Sequence, residues 1–246
     1  IASLQHWIDY EAVLTVLAFA MLIHFLAIAT IVSALDLEGG FRLFRFNLRR
    51  YGGWAFVATA TYAGYNHIPL LVLGAFTAPI HAAAFVATRS LMQPLQILIR
   101  GFDVADKSMF SEGVARSGDV FGHTMKLAAI YAGTGVVFGI AVGALAPQIL
   151  ALAYGDRFYG FGAALIAWIP VYILLSVTMP FESLIYTRKN FKSYYLIRGI
   201  ASLGALVLTA PLVMQFSEVG AIAACAAGWF IAVVGTAIML KRGDET

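Results

Sequence analysis

Long apolar runs, separated by short polar segments, follow one another along nearly the whole chain. A helix rises 1.5 Å per residue, so about 20 apolar residues cross the hydrocarbon core of a bilayer, which is about 30 Å thick. By this criterion we predict an all-α, polytopic transmembrane helix bundle of about seven spans. The predicted spans are Ala12–Leu35, Trp54–Phe76, Ile80–Gly101, Phe121–Ile149, Phe161–Tyr186, Tyr194–Phe216 and Gly220–Leu240. The fourth run is too long for one span, so we expect it to end near Pro147 and continue as an interfacial turn over 151–160.

Lys and Arg are concentrated in every second connecting segment. One set of segments contains Arg42, Arg45, Arg49, Arg50, Lys107, Arg116, Arg188, Lys189, Lys192, Lys241 and Arg242, whereas the other contains only Arg157. An excess of basic residues is typical of the cytoplasmic side of a membrane protein. We therefore predict a multi-pass protein whose N-terminus lies outside and whose C-terminus lies in the cytoplasm.

The composition agrees with an integral membrane protein. Of the 246 residues, 61% are hydrophobic and only 12% are charged, whereas a soluble domain is about a quarter charged. The single Cys225 excludes an internal disulfide. The chain begins at Ile1 and shows no signal peptide, so we expect a processed or truncated chain.

Small residues recur every four positions in two of the predicted spans. They are Gly135, Gly139 and Gly143 in one, and Gly220, Ala224, Gly228 and Ala232 in the other. Such faces let helix backbones approach closely. We expect them to pack within the bundle, with dimerisation as the alternative.

A polar stripe crosses the third predicted span. Arg89, Gln93, Gln96 and Arg100 recur at spacings that place them on one helix face. Arg89 is nine residues from Ile80, hence about 14 Å deep. A guanidinium at that depth is costly and normally faces a water-filled cavity or a partner. We predict that Arg89, Gln93 and Gln96 line a substrate path, with a structural ion pair or carbonyl contact as the alternative for Arg89.

Other polar residues lie at different depths. Tyr62 and Asn66 form a second stripe that either lines the same cavity or packs between helices. Arg198 either reaches the interface with its long side chain or lines the path. Glu182 either pairs locally with Arg188 or takes part in ion coupling.

No enzyme signature, metal site or cofactor site is predicted. The chain contains no H-E-x-x-H, no Gly-rich phosphate loop with Lys and no G-x-S-x-G. Asp103, Asp106 and Lys107 follow the third span, and we expect them to form a solvated cytoplasmic loop. We therefore predict a protein that is not an enzyme and has no nucleic-acid partner.

Four stretches of the sequence are similar to those of a known transporter family. They are the Arg-rich segment before Tyr51-Gly52-Gly53, PLLVLGAFTAPIHAAAFVATRSLMQPLQIL (Pro69–Leu98), ARSGD (Ala115–Asp119) and ILALAYGDRF (Ile149–Phe158). In order and spacing, the chain from Tyr51 onward resembles the C-terminal half of polysaccharide-biosynthesis flippases. These are the O-antigen and lipid-linked oligosaccharide transporters of the multidrug/oligosaccharidyl-lipid/polysaccharide exporter superfamily.

The resemblance implies the C-terminal lobe of a two-lobe transporter fold. Residues 51–246 would form the six-helix lobe. Residues 41–50 would form a basic cytoplasmic linker, and residues 1–40 would hold an amphipathic lead-in and the last helix of the preceding lobe. The missing N-terminal lobe would be a partner. Many relatives have an acidic residue where this chain has Asn66 and His67, and this departure argues against cation coupling through that position. Glu182 and His67 are the candidates for a coupling role.

The function implied is transport of an anionic lipid-linked oligosaccharide, of the undecaprenyl-pyrophosphate type, across the bacterial inner membrane. Such cargo serves the synthesis of cell-surface polysaccharide such as the O-antigen of lipopolysaccharide. Two alternatives stay open. One is a cation-coupled drug antiporter of the same superfamily, and the other is a non-transporting membrane assembly subunit or enzyme.

Overall fold

The computed structural model describes residues 53–116, 120–188 and 191–242, together with isolated residues before Gly53. The chain divides into two compact units, Ile1–Gly53 and Trp54–Thr246. In the first unit the described residues, 15, 18–19, 21–23, 25–26, 40 and 45–46, are helical. Most of the first predicted span and most of the predicted basic linker lie outside the described residues.

The rest of the described chain is built of helices alone and contains no strand. The elements are α1 (Gly53–Phe76), α2 (Pro79–Arg116), α3 (Val120–Ala144), α4 (Ala146–Tyr154), a 3₁₀ helix (Asp156–Phe161), α5 (Gly162–Arg188) and α6 (Phe191–Arg242). The predicted all-α class is confirmed.

Four described segments are long and apolar enough to cross a membrane. They are Pro79–Val104, Val120–Ala144, Arg157–Ile185 and Lys192–Lys241. Helices of this kind fit a membrane-embedded protein. The count of about seven spans, the orientation and the two-lobe fold stay predictions.

The longest helix, α6, folds back on itself. Its backbone leaves the helical region at Ser217, where φ is 48°. A Cβ added at Gly235 would lie 2.6 Å from Ile197 Cγ2, and one added at Gly228 would lie 3.1 Å from Ala205 Cβ. The members of each pair lie within two residues of equal distance from the break, so residues 191–216 and 218–242 form two antiparallel arms. The arms correspond to the sixth and seventh predicted segments.

Close approach at glycines holds the helices together. A Cβ added at Gly139 would lie 2.4 Å from Ile169 Cγ2, and one added at Gly135 would lie 3.0 Å from Ile173 Cγ1. The first small-residue ladder therefore packs α3 against α5, which also packs against α2 and α6. In the second ladder, Gly220 lies against the carbonyl of Leu212 at the turn of α6. The expected packing of both ladders within the bundle is confirmed.

The predicted end of the fourth run is close to the observed one. Helix α3 ends at Ala144, and α4 begins at Ala146 with Pro147 in its first turn. Proline fits there because the backbone N–H groups in the first turn of a helix have no acceptor within the helix, so its lack of an N–H costs no hydrogen bond. Gly155, with φ of 72°, separates α4 from the 3₁₀ helix. The segment expected to be an interfacial turn is therefore two short helices.

The prediction of a solvated loop after the third span is wrong. Helix α2 continues through Asp103, Asp106 and Lys107 to Arg116. Asp103 is buried and accepts a hydrogen bond of 2.9 Å from the hydroxyl of Ser183 on α5. Hydropathy falls where a helix leaves an apolar environment, but the backbone hydrogen bonds of the helix need no such environment to continue.

Candidate functional site

Arg89 lies where α2 meets α1 and α5. Its side chain is half-buried, and Nη1 donates a hydrogen bond of 3.3 Å to the backbone carbonyl of Asn66. Its guanidinium carbon lies 5.6 Å from the ring centroid of Trp168, within the range of a cation–π contact. The guanidinium therefore points towards neighbouring helices of the unit.

Two aromatic residues of α5 fix its position against this turn of α2. Trp168 Nε1 donates to Thr88 Oγ1 at 3.1 Å, and the hydroxyl of Tyr172 donates to the backbone carbonyl of Arg89 at 3.2 Å. The two are four residues apart, so they share one face of α5. Because these two hydrogen bonds end on successive residues of α2, they fix the register between α2 and α5.

Arg89 has no acidic partner among the described residues. Its contacts there are a carbonyl, a hydrophobic aromatic face and the hydroxyl that binds its own carbonyl. A guanidinium carries five N–H donors, and the carbonyl of Asn66 takes only one of them. The site can therefore accept an anionic oxygen without first breaking an ion pair.

The remaining members of the polar stripe extend along α2 from Arg89. Gln93 and Arg100 are exposed, and Gln96 is half-buried. Met92, Leu95 and Ile99, which are buried, lie on the adjoining side of the helix. The predicted stripe thus lies at the edge of the buried side of α2.

The α1 residues of the predicted site differ in their surroundings. Asn66 is 3% exposed, and its Nδ2 donates to the carbonyl of Tyr62 at 2.9 Å, so its side-chain amide is occupied within its own helix. Tyr62 is half-buried and makes edge contacts with Tyr65 and Trp229. His67 is exposed. Asn66 therefore contributes a backbone carbonyl to the Arg89 site.

A second charged cluster is built between α5 and α6. Arg198 is 7% exposed and donates to Glu182 Oε1, which also accepts a hydrogen bond of 2.5 Å from the hydroxyl of Tyr194. The Arg198 guanidinium also lies over the rings of Tyr194 and Trp229, at 4.7 and 5.7 Å from their centroids. We call Glu182, Tyr194 and Arg198 the ion-pair cluster.

The ion-pair cluster changes the interpretation of two predicted site residues. The sequence suggested Arg188 as the local partner of Glu182, and the side chain of Arg188 lies outside the described residues. The structure shows Arg198 as a partner of Glu182. The charge of Arg198 is compensated and buried, so its long side chain does not reach out to an interface. Packing of α5 against α6 brings these residues together, which local spacing does not reveal.

One pair of ionisable side chains was not predicted at all. Nδ1 of His81, at the start of α2, lies 2.5 Å from Oε2 of Glu218, just after the turn of α6. The His81 ring also makes an edge contact with Phe161. The two paired residues are 137 positions apart. The position of His81 near the end of a predicted span gave no indication of this partner.

Two buried donors lie beside the ion-pair cluster. The hydroxyl of Tyr65 and Nε1 of Trp229 have no hydrogen-bond acceptor among the described residues, although their rings contact each other at 5.0 Å. An unsatisfied buried donor costs about 1–3 kcal/mol. Both groups could donate a hydrogen bond to a polar ligand that reached this point.

No protein-family model matches the chain, and neither a curated protein nor a solved structure is significantly similar to it. Within the described ranges, no group of three or more His, Cys, Asp or Glu residues could hold a metal ion. Arg89 supplies positive charge, and the surrounding aromatic rings supply flat apolar surface.

Proposed function

We propose that the chain is part of a flippase that moves an anionic lipid-linked oligosaccharide, of the undecaprenyl-pyrophosphate type, across the bacterial inner membrane. The observation that carries the proposal is Arg89, a half-buried guanidinium in an apolar helix with no acidic partner among the described residues. A cation in such surroundings is retained only at a cost. Binding of a transported anion would explain why a cation is kept at this position despite the cost.

The chemistry of Arg89 suits a pyrophosphate. A guanidinium can donate two parallel hydrogen bonds to phosphate oxygens, which an ammonium group cannot do. The exposed Gln93 and the half-buried Gln96 continue from Arg89 along the same stripe and can bond sugar hydroxyls. Tyr62, also half-buried, offers an aromatic face and a hydroxyl nearby.

The ion-pair cluster supports transport of an anion over transport of a cationic drug. A cation-coupled antiporter needs an intramembrane carboxylate that can release one cation and bind another. Glu182 is held by Arg198 and Tyr194. We therefore place cargo binding at Arg89 and give Arg198 a structural role.

The finer architecture belongs to the same proposal. Residues 51–246 would form the C-terminal lobe, with the basic ends of the helices in the cytoplasm. The N-terminal lobe would complete the cavity that the polar stripe of α2 lines.

Complementation of a flippase-null strain with the full-length gene tests the proposal. We expect Arg89→Ala to reduce surface polysaccharide by about 10- to 100-fold, because hydrogen bonds to a charged group contribute about 1.5–3 kcal/mol. Arg89→Lys should retain part of the activity, because it keeps the charge and loses the two-pronged geometry. Surface polysaccharide is measured by gel electrophoresis, and the protein level in the membrane by immunoblot.

Arg100→Ala is the matched control. Arg100 lies on the same face of α2 and is exposed, so its removal should leave polysaccharide export near the level of the unmodified protein. Full export by Arg89→Ala at an equal protein level would remove the proposed anion site. An equal loss in both variants would point to a general effect of charge on insertion.

A further inference from the structure

An apolar groove runs between α1 and the first arm of α6. It has a volume of about 500 Å³ and is lined by α1 residues such as Val57 and Ala60 and by α6 residues such as Leu196, Ile200 and Leu203. The three α6 side chains are 55–65% exposed. The volume falls within the range of about 300–1,000 Å³ found for ligand pockets.

The groove is closed at one end and open at the other. Near its closed end, a Cβ added at Gly64 would overlap Ser202 Oγ, so the two helices touch. From Lys192 to Leu203 the lining extends over eleven residue steps of helix, or about 16 Å. This depth is close to half of the hydrocarbon core, about 15 Å. The groove is therefore as deep as one leaflet.

A single charged residue lies at the open end. Lys192 is the only charged side chain in the lining. It is exposed, and it pairs with no carboxylate in the part of the chain that the structure describes. The hydroxyl of Thr61 in the wall is occupied by the carbonyl of Val57 at 2.9 Å. The groove thus presents apolar walls and one cation at its mouth.

We propose that this groove binds one acyl chain of an anionic phospholipid, with the lipid phosphate at Lys192. The surrounding helices fit a membrane, so a groove one leaflet deep has acyl chains as its natural occupants. The basic end of the chain is the predicted cytoplasmic side, where anionic lipids attract Lys and Arg. The site is separate from Arg89 and does not depend on transport of a cargo.

Photo-cross-linking of lipid to the full chain tests the site. The protein is reconstituted in phosphatidylcholine nanodiscs that contain phosphatidylglycerol with a diazirine in its acyl chain, and the labelled peptides are identified by mass spectrometry. We expect label to concentrate around Leu196, Ile200 and Leu203. Lys192→Gln should lower this labelling about five-fold. The same substitution should leave labelling by a phosphatidylcholine probe unchanged.

Two matched controls separate charge from shape. Lys241→Gln removes an exposed Lys at the same end of the hairpin but on the second arm, outside the groove lining, and should leave labelling unchanged. Ala60→Phe fills the groove and should lower labelling by both lipid probes. Ala129→Phe, at an exposed position outside the groove, should have no such effect.

Three results would overturn the proposal. Label spread evenly over all exposed apolar faces would indicate ordinary contact with bulk lipid. Displacement of the probe by a polyprenyl phosphate, but not by unlabelled phosphatidylglycerol, would assign the groove to an isoprenoid lipid. Absence of label around Ile200 would mean that protein covers the groove.

Discussion

Two arginines of similar sequence context have different partners. Arg198 is paired with Glu182 and enclosed by aromatic rings, whereas Arg89 contacts a carbonyl and a single indole. A buried cation with a carboxylate partner is a structural element, and removal of either member leaves the other charge uncompensated. A half-buried cation without such a partner is able to bind an exchangeable anion.

The ion-pair cluster should show strong coupling in a double-mutant cycle. We expect Arg198→Gln to lower the free energy of unfolding by about 3 kcal/mol, because it strands the Glu182 carboxylate. The double variant Glu182→Gln with Arg198→Gln should cost less than the sum of the single variants, because no lone charge remains. Denaturation of the purified protein in detergent measures these values. Purely additive costs would show that the pair contributes no coupling energy.

At the scale of elements, small residues decide which helix faces meet. Gly139 of α3 faces Ile169 of α5, whereas Gly133 of the same helix has nothing within 4 Å of the position of an added Cβ. The two glycines are alike in sequence, but only Gly139 belongs to the buried ladder. Ile169 therefore leaves no room for a side chain at Gly139. At Gly133 the described unit leaves room for one.

The two glycines should respond to alanine with opposite signs. We expect Gly139→Ala to destabilise the protein by about 1–3 kcal/mol, because the added methyl forces α3 and α5 apart. Gly133→Ala should be neutral or stabilising by up to about 1 kcal/mol, since alanine favours the helix. Thermal unfolding in detergent compares them. An equal response of both variants would contradict the proposed contact.

At the scale of the whole second unit, the reversal of α6 sets the topology. The break at Ser217 returns the chain, so Lys192 and Lys241 lie at the same end of the hairpin. The basic residues at the ends of both arms therefore share one side, as the positive-inside rule requires. A continuous helix of the same length would instead separate them by about 75 Å.

Chemical accessibility tests this topology. In a Cys225→Ala background of the full-length protein, we expect Lys192→Cys and Lys241→Cys to react with a membrane-impermeant maleimide only in inside-out vesicles. Gln215→Cys, at the turn, should react only in spheroplasts, because the turn lies on the opposite side. Labelling of Lys192→Cys and Lys241→Cys from different sides would exclude the hairpin.

The sequence by itself determined the helical class, the approximate positions of the helices between Gly53 and Arg242, and the shared face of Arg89, Gln93 and Gln96. These features depend on local hydropathy and on the 3.6-residue period of a helix. The sequence did not predict where a helix ends within a polar segment, as after Asp103, because a fall in hydropathy does not end a helix.

Only the tertiary structure decided which charges have partners. The pairs of Glu182 with Arg198 and of His81 with Glu218 join different helices, as does the contact of Arg89 with the Asn66 carbonyl. The lipid-sized groove likewise exists only where α1 and α6 diverge. A periodic pattern gives the face on which a side chain lies, but the identity of the helix opposite that face follows from packing.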